Sequence, residues 1–394
     1  MSEFSEAKIS AAAEAIQHLP PVQFADLDPK ALLDSLVTAM ETANRMAGIE
    51  EWQLFPGDPR RLFLDTLGYA LLLERHGIDN AGRMNLLAHA TEAFIDHIGA
   101  FWGERGKRLD ATPAKCTCLF TLSAPQTSTV IIPLGTQVSP GNNVFFATDF
   151  LAFIPPGETE VEVSVTSLTP GAAGNGYLPG QISIIVNWNT PFASTVENTT
   201  ETSGGADVES DDRYRYRLYL VPETLSTAGP TAAYEFWALS ASPDIMAVGV
   251  YSPNPGEVKL VPLMKDGELP STDVLDAVLA SCNPKDRRPL TDMVIAAEPD
   301  IVPFDLEFTY WIDQSNVISA VTIQQQVDEA VQEWLLWQRS DLSRDIIPDK
   351  LIEMCIKAGA RRLEIVSPAY TVLNDGEVAI VNTPIAVTFG GLES

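Results

Sequence analysis

The chain has 394 residues, with 53 acidic and 25 basic side chains and a formal net charge of −28. That field repels phosphate backbones and anionic lipid, which disfavours nucleic acid or a membrane surface as a partner of the whole chain. Hydrophobic residues make up 45% of the sequence, enough for sizeable cores, and the length suggests roughly two to four domains.

The four cysteines do not make a disulfide scaffold, and Met1–Ser10 lacks the basic and apolar parts of a signal peptide. No apolar run is long enough to span a bilayer. The expectation is a soluble protein made in a reducing cytoplasm.

Residues 1–27 are mixed and broken by Pro20-Pro21. Asp28-Pro29 then starts a helix, with a side-chain acceptor at the N-cap and proline where its missing N–H costs nothing. Leu33, Leu36, Met40, Ala43 and Ala47 follow at spacings of three and four, and Gly48 ends the pattern. A second helix is expected over 59–75, from Pro59 through Leu64, Leu67 and Leu71 to His76-Gly77. A third is expected over 82–102. There Leu87, Ala90, Phe94, Ile98 and Phe101 recur at about 3.5 residues, the period that keeps one seam on a partner helix. Residues 1–110 thus read as an antiparallel or partner-completed helical bundle. Leu33, Leu36, Met40, Leu87, Phe94 and Ile98 are its predicted partner-helix interface.

From residue 111 the pattern changes to short strands and turns. Lys115–Leu122 and Glu160–Thr166 alternate with period two, and Thr129–Ile132 is a β-branched run. Val144–Thr148 and Gln181–Asn187 complete a β-rich domain over 111–192. Residues 193–206, rich in Thr, Ser, Gly and Asn, read as an exposed loop. Within 193–229 this loop leads to a connecting helix. Asp207 is the expected cap, Glu209, Asp211 and Asp212 sit in the first turns, and Arg213, Arg215 and Arg217 lie further along.

Two strand–helix units follow, over 230–302 and 303–394. Both resemble split βαβ sandwiches of the ferredoxin-like kind. Asn374-Asp375-Gly376 reads as a hairpin turn between Tyr370–Leu373 and Glu377–Val381. Trp334 and Trp337, on a long helix over 317–337, are core or interface anchors. The fold class is therefore α+β multidomain: a helical bundle, a β-rich domain and two α/β units.

Candidate chemistry is sparse. Gly171, Gly174 and Gly176 give GxxGxG rather than a dinucleotide fingerprint, and Tyr177-Leu178-Pro179-Gly180 cannot open a helix with free N–H groups, so a structural turn is expected. Asp207, Glu209 and Asp211 have calcium-loop spacing, but Asp212 stands where the loop needs glycine and Leu218 where it needs glutamate. His89, Glu92, Asp96 and His97 share a face of a regular third helix, as a metal set or a solvated face. Cys116 and Cys118 point the same way from a strand, unsuited to a mutual disulfide. HExxH, GxSxG and a Walker loop are absent, and all four histidines (His18, His76, His89, His97) precede the β-rich domain. Asn198-Thr199-Thr200 is a glycosylation sequon that reads as an idle loop. No catalytic residue, cofactor or metal is expected.

The sequence resembles the baseplate J-like family of contractile phage tails and related injection machines. The resemblance runs through ATEAFIDHIGAFWGERGKRLDATPA, IPLGTQV with FFATD, GAAGNGYLPGQI, GGADVESDDRYRYRL and AGPTAAYEFWALSASPDIMAVGVY, over about residues 60–390. It implies a non-enzymatic wedge protein of a tail baseplate, assembled in the host cytoplasm. Such a protein pairs with other wedge proteins and with a second copy of itself or a J-like paralogue. It meets neighbouring wedges in a ring, together with hub and sheath-proximal proteins, and relays the rearrangement that triggers contraction. No nucleic acid and no membrane insertion are implied. Two rivals stand beside it: a receptor-binding or fibre-adaptor protein of the same particle, and a hydrolase using the Asp207–Asp212 carboxylates with a metal.

Overall fold

The computed structural model describes residues 19–49, 52–187, 192–226 and 228–393. They form two compact units that divide between Lys107 and Arg108.

The first unit is helical, with α1 over Pro29–Met46, α2 over Pro59–Arg83 and α3 over Glu92–Gly99, followed by a 3₁₀ segment over Ala100–Gly106. The Asp28 carboxylate accepts from the Lys30 and Ala31 N–H groups at 2.8 and 3.2 Å, and Asp58 accepts from Arg60 N–H at 2.8 Å. Both helices thus begin on the Asp-Pro pairs that fix φ and supply an acceptor for the orphan donors.

α1 lies on α2, where Leu33 and Leu36 close over Gly68. Those two leucines are therefore spent within the chain, and Met40 is half-buried. α2 does not stop at His76-Gly77. A glycine inside a helix costs only about 1 kcal/mol, and the extra turns are held from outside. Asp79 accepts from Phe24 N–H at 2.7 Å and pairs with Arg83 at 2.9 Å, while the Phe24 ring lies on Gly82.

The third helix is correspondingly short. Residues 84–89 are turns, so Leu87 lies outside α3 and the expected seam is broken. Ile95 is the fully buried residue of α3, Ile98 is half-buried, and Phe94 is 54% exposed.

The second unit begins with β1 Lys115–Leu122, β2 Val130–Ile132, β3 Gln137–Ser139, β4 Phe146–Thr148, β5 Ala152–Ile154, β6 Glu160–Ser167, β7 Ile184–Ile185 and β8 Ala193–Asn198. Six of these form one sheet in the order β7-β3-β4-β6-β1-β8. Its two edge strands come together, so the sheet is nearly a closed barrel. The alternation in β1 sends Cys116, Cys118, Phe120 and Leu122 inward, where Phe146, Val165, Ile182 and Val196 meet them. The β2–β5 ribbon adds Val130, Ile132 and Ile154 to the same core. Residues 193–198 are thus a strand rather than a loop, antiparallel to β1 with Phe120 opposite Val196.

Next come α4 Asp211–Leu220, α5 Thr231–Leu239, β9 Ile245–Tyr251, β10 Glu257–Met264, α6 Thr272–Cys282 and β11 Met293–Ala296. β10 pairs antiparallel with β9 and parallel with β11, the latter through the α6 crossover.

The last elements are β12 Asp300–Phe304, β13 Glu307–Asp313, α7 Ala320–Arg339, α8 Pro348–Lys357, β14 Ala360–Ser367, β15 Glu377–Val381 and β16 Ala386–Glu393. β13 lies between antiparallel β14 and parallel β16, and its buried face packs on α7 and α8 around Trp334. Trp334 is a core residue, whereas Trp337 is half-buried beneath the Arg344 guanidinium at 4.3 Å.

Both sheets are three-stranded, and a four-stranded ferredoxin-like order does not form among the described residues. Asn374-Asp375-Gly376 makes a turn but not a hairpin. The strand it launches, β15, pairs parallel with β12 instead. Val261 and Leu263 of β10 share a small core with Leu342 and with Val378 of β15, which welds the two α/β layers together.

Candidate functional site: a buried carboxylate between two arginines

The stretch 204–220 is placed by a short antiparallel ladder. Thr112 and Ala206 exchange N–H···O bonds of 2.8 and 3.0 Å, and Glu209 N–H donates to the Leu109 carbonyl at 3.1 Å. The ladder brings the chain to Ser210, which caps α4 by accepting from Arg213 N–H at 3.5 Å. Asp207 is therefore not the cap. Its Oδ1 accepts from Ala172 N–H at 3.0 Å and ties down the glycine loop.

Helical periodicity then puts Arg213 and Arg217 on the face nearest Glu209, at i+4 and i+8. The Glu209 side chain is 0% exposed, with Arg213 at 3% and Arg217 at 2%. Arg213 Nη1 donates to Oε1 at 2.5 Å. Arg217 grips both oxygens, Nε to Oε1 at 2.9 Å and Nη2 to Oε2 at 2.6 Å. Oε2 also accepts from Leu109 N–H at 3.1 Å. The carboxylate thus neutralises part of a buried positive charge and receives the donors that make such burial tolerable.

The remaining donors of Arg213 reach the end of α5. Nε donates to the Ile245 carbonyl at 2.7 Å, and Nη2 donates to Leu239 and Ser242 at 2.5 and 2.6 Å. A cation at the carbonyl end of a helix is favourably placed. Burial pulls the Arg213 pKa down to about 10 against the opposing pull of Glu209, so the guanidinium stays charged at neutral pH.

Arg108 adds an outer clip. It donates to the Glu209 carbonyl at 2.8 Å and pairs with Asp211 at 2.8 Å. Tyr214, buried, lies between the Arg108 and Arg217 guanidinia at 4.6 and 5.4 Å from its ring centre.

The glycine loop is built onto the same ladder. Gly171 has φ +128°, and its carbonyl lies where a Cβ on Gly205 would stand, 2.5 Å away. Asn175 exchanges two bonds with Gly205, at 2.7 and 2.9 Å. Gly176 requires its φ of +80°, whereas Gly174 has an ordinary φ and is needed for space, since a Cβ there would sit 2.8 Å from Ala114 Cβ. The loop is continuous with the 204–209 segment.

Asn198 is not an idle loop residue. It is 1% exposed, accepts from Ile182 N–H at 2.9 Å, and donates to the Tyr177, Leu178 and Thr200 carbonyls.

The three carboxylates with calcium-loop spacing diverge: Asp207 to Ala172, Glu209 to its arginines, Asp211 to Arg108. His89 lies in the turns before α3, apart from Glu92, Asp96 and His97 on it. Cys116 and Cys118 place their Sγ atoms 4.0 Å apart in the barrel core. The neighbouring thiol and burial push the Cys118 pKa upward, away from thiolate chemistry. The Glu209–Arg213–Arg217 knot was missed from sequence. Its signal was there, an acid followed by arginines at i+4 and i+8, but it read as charges spread along a connecting helix. Chemically the knot is closed, and what it can do is hold the barrel's entry strand and the end of α5 in register.

Three family models match consecutive parts of the chain: the Baseplate J-like protein barrel domain over 117–205, the Baseplate J-like central domain over 226–298, and the Baseplate J-like protein C-terminal domain over 308–388. The chain is 27% identical to baseplate protein J of Escherichia phage P2 over 227 residues, which are 56% of this chain and 72% of that protein. Among solved structures, it is similar to a chain of the six-fold symmetrised cryo-EM structure of the anti-feeding prophage baseplate. The identity is 12% and the TM-score 0.43, with 96% of this chain and 100% of that chain covered. The knot falls in the interval between the first two family domains.

Proposed function

Since the chain belongs to the baseplate J-like family, we propose that it is a structural component of a contractile tail baseplate, located in the virion tail. The observation that carries this is the tandem match of barrel, central and C-terminal domains in one unbroken order. In finer detail, the chain serves as a wedge subunit. It stands in a ring around the central hub beside other wedge proteins and a second J-like copy, and it passes on the rearrangement that precedes sheath contraction. The role is mechanical and needs no cofactor.

The helical unit supports the wedge reading. Beyond the leucines spent on α1–α2 packing, it leaves Leu62, Phe63, Tyr69 and Leu73 of α2 and Phe94 of α3 exposed. A run of large apolar side chains on so acidic a chain is what a subunit awaiting partners presents. Phe94 and these α2 residues, rather than Leu33 and Leu36, are assigned to the partner face.

The test is native mass spectrometry of the chain alone and with the products of neighbouring baseplate genes. A defined complex, lost on Phe94→Asp while the isolated chain stays folded, supports the wedge role. A monomer indifferent to every neighbour would overturn it.

A further inference from the structure

The two ends of the knot belong to different layers of the second unit. Glu209 is bonded to Leu109 N–H, where the chain enters the barrel. Arg213 is bonded to the carbonyls of Leu239, Ser242 and Ile245, where α5 hands over to β9 of the central sheet. Between these anchors stands one ion pair of 2.5 Å with no access to water. The covalent path from barrel to central layer runs through the same place, by way of α4.

An apolar contact between two layers can slide, because one methyl neighbour replaces another at little cost. A buried guanidinium cannot. Its donors lie in a fixed planar fork, and each carbonyl it leaves is an unpaired group without water to replace the bond. Rotation of the barrel against the central layer would draw Glu209 from Arg213, or Arg213 from the α5 carbonyls. The first break strands charge in the interior, and the second leaves buried carbonyls without their donor.

We infer that the Glu209–Arg213–Arg217 knot is a locked joint, which makes the barrel and the central α/β layer one rigid lever rather than two hinged domains. This deepens the baseplate reading, since a subunit that transmits movement must not bend where its domains meet. Bending is then confined to places outside residues 108–298.

The experiment uses the full chain in isolation, so its outcome does not depend on whether the chain joins a baseplate. Spin labels are attached through Glu158→Cys on the barrel and Asp276→Cys on α6. The four native cysteines are buried and stay unlabelled under native conditions. Pulsed electron spin resonance then gives the distance distribution between the layers. The wild-type background is expected to give one narrow peak that persists in urea up to the unfolding transition. Glu209→Gln, folded by circular dichroism, is expected to broaden it at least about twofold, and Arg213→Lys, which keeps the charge but loses the fork, likewise. Asp212→Asn, on the exposed side of α4, is expected to leave it narrow. A broad or two-peaked distribution in the wild-type background overturns the inference without recourse to any variant. So does a narrow one in folded Glu209→Gln. A normal result here with no complex by mass spectrometry would refute the wedge role and leave the joint standing.

Discussion

Replacing Glu209 by glutamine removes one charge and almost no volume. The two guanidinia it holds are nearly out of solvent, at 2.5 and 2.6 Å from its oxygens. The amide keeps one acceptor oxygen but turns an NH₂ group toward a donor. Two buried cations then face each other across a neutral amide, with Asp244 still attracting Arg213. Breaking a buried pair by removing one partner costs about 3–5 kcal/mol, and the central value corresponds to roughly a thousandfold shift in the local folding equilibrium. The loss belongs to α4, α5 and the ladder at 109–112, not to the C-terminal sheets. Hydrogen exchange is therefore the assay, because it resolves the opening free energy segment by segment. Amides of α4 and α5 are expected to lose protection by about two to four orders of magnitude, while those of α7 and β13 keep theirs. Adding Arg217→Met to Glu209→Gln removes the excess cation, and part of the loss is expected to return, a coupling that independent sites would not show. Protection in α4 and α5 that falls by less than about 1 kcal/mol on Glu209→Gln would refute the reasoning. It would mean that water or rearrangement had replaced the carboxylate.

Gly174→Ala and Gly176→Ala separate space from backbone angle. The first puts a Cβ at 2.8 Å from Ala114 and is expected to cost about 1–3 kcal/mol. The second meets open space at φ +80° and is expected to cost about 1 kcal/mol. Paired thermal melts check the order. Asn198→Ala takes the acceptor from the Ile182 N–H and a donor from the Thr200 carbonyl, while the Tyr177 and Leu178 carbonyls keep the N–H groups of Thr202 and Gln181. A loss of at least about 2 kcal/mol is expected in barrel stability by denaturant titration. Glu235, whose carboxylate accepts from the Tyr216 hydroxyl, has its pKa raised by burial, with the tyrosine bond pulling the other way. A raised acid favours the fold below its ordinary value of 4.5 and loses that contribution as pH climbs through the folded value. Glu235→Gln is therefore expected to melt higher than wild type at neutral pH and to lose its advantage near pH 4, read from melts across that range.

The elements legible in the sequence are those whose cause is local. Asp28-Pro29 and Asp58-Pro59 start helices because cap and fixed φ lie in the same few residues. β1 announces itself because every second residue enters one core. What misled was structure decided at a distance. β8 has the composition of a loop, and it is a strand because β1 offers an open edge on which Val196 finds Phe120. α2 runs through His76-Gly77 because Phe24, more than fifty positions earlier, needs Asp79 as an acceptor and Gly82 as a floor. Asn374-Asp375-Gly376 turns the chain as it should, but the strand it launches finds β12 rather than the preceding residues.

The segment 204–217 shows the same division within a single motif. That it matters is visible in its density of Gly, Asp, Glu and Arg. The assignment of each charge was not. Spacing alone allows Asp207 to cap α4, yet the cap is Ser210 because the ladder with residues 109–112 keeps Asp207 short of the helix start, on Ala172. The same ladder delivers Glu209 to the interior, and only a carboxylate there makes two buried arginines tolerable. Arg213 in turn is tolerable because the chain at the end of α5 turns its carbonyls toward it. The glycines at 171 and 205 permit the close backbone approach, that approach positions Glu209, and Glu209 fixes the angle between barrel and central sheet. Two stretches of sequence separated by two strands thus act as one joint, and neither has a reason for its composition without the other.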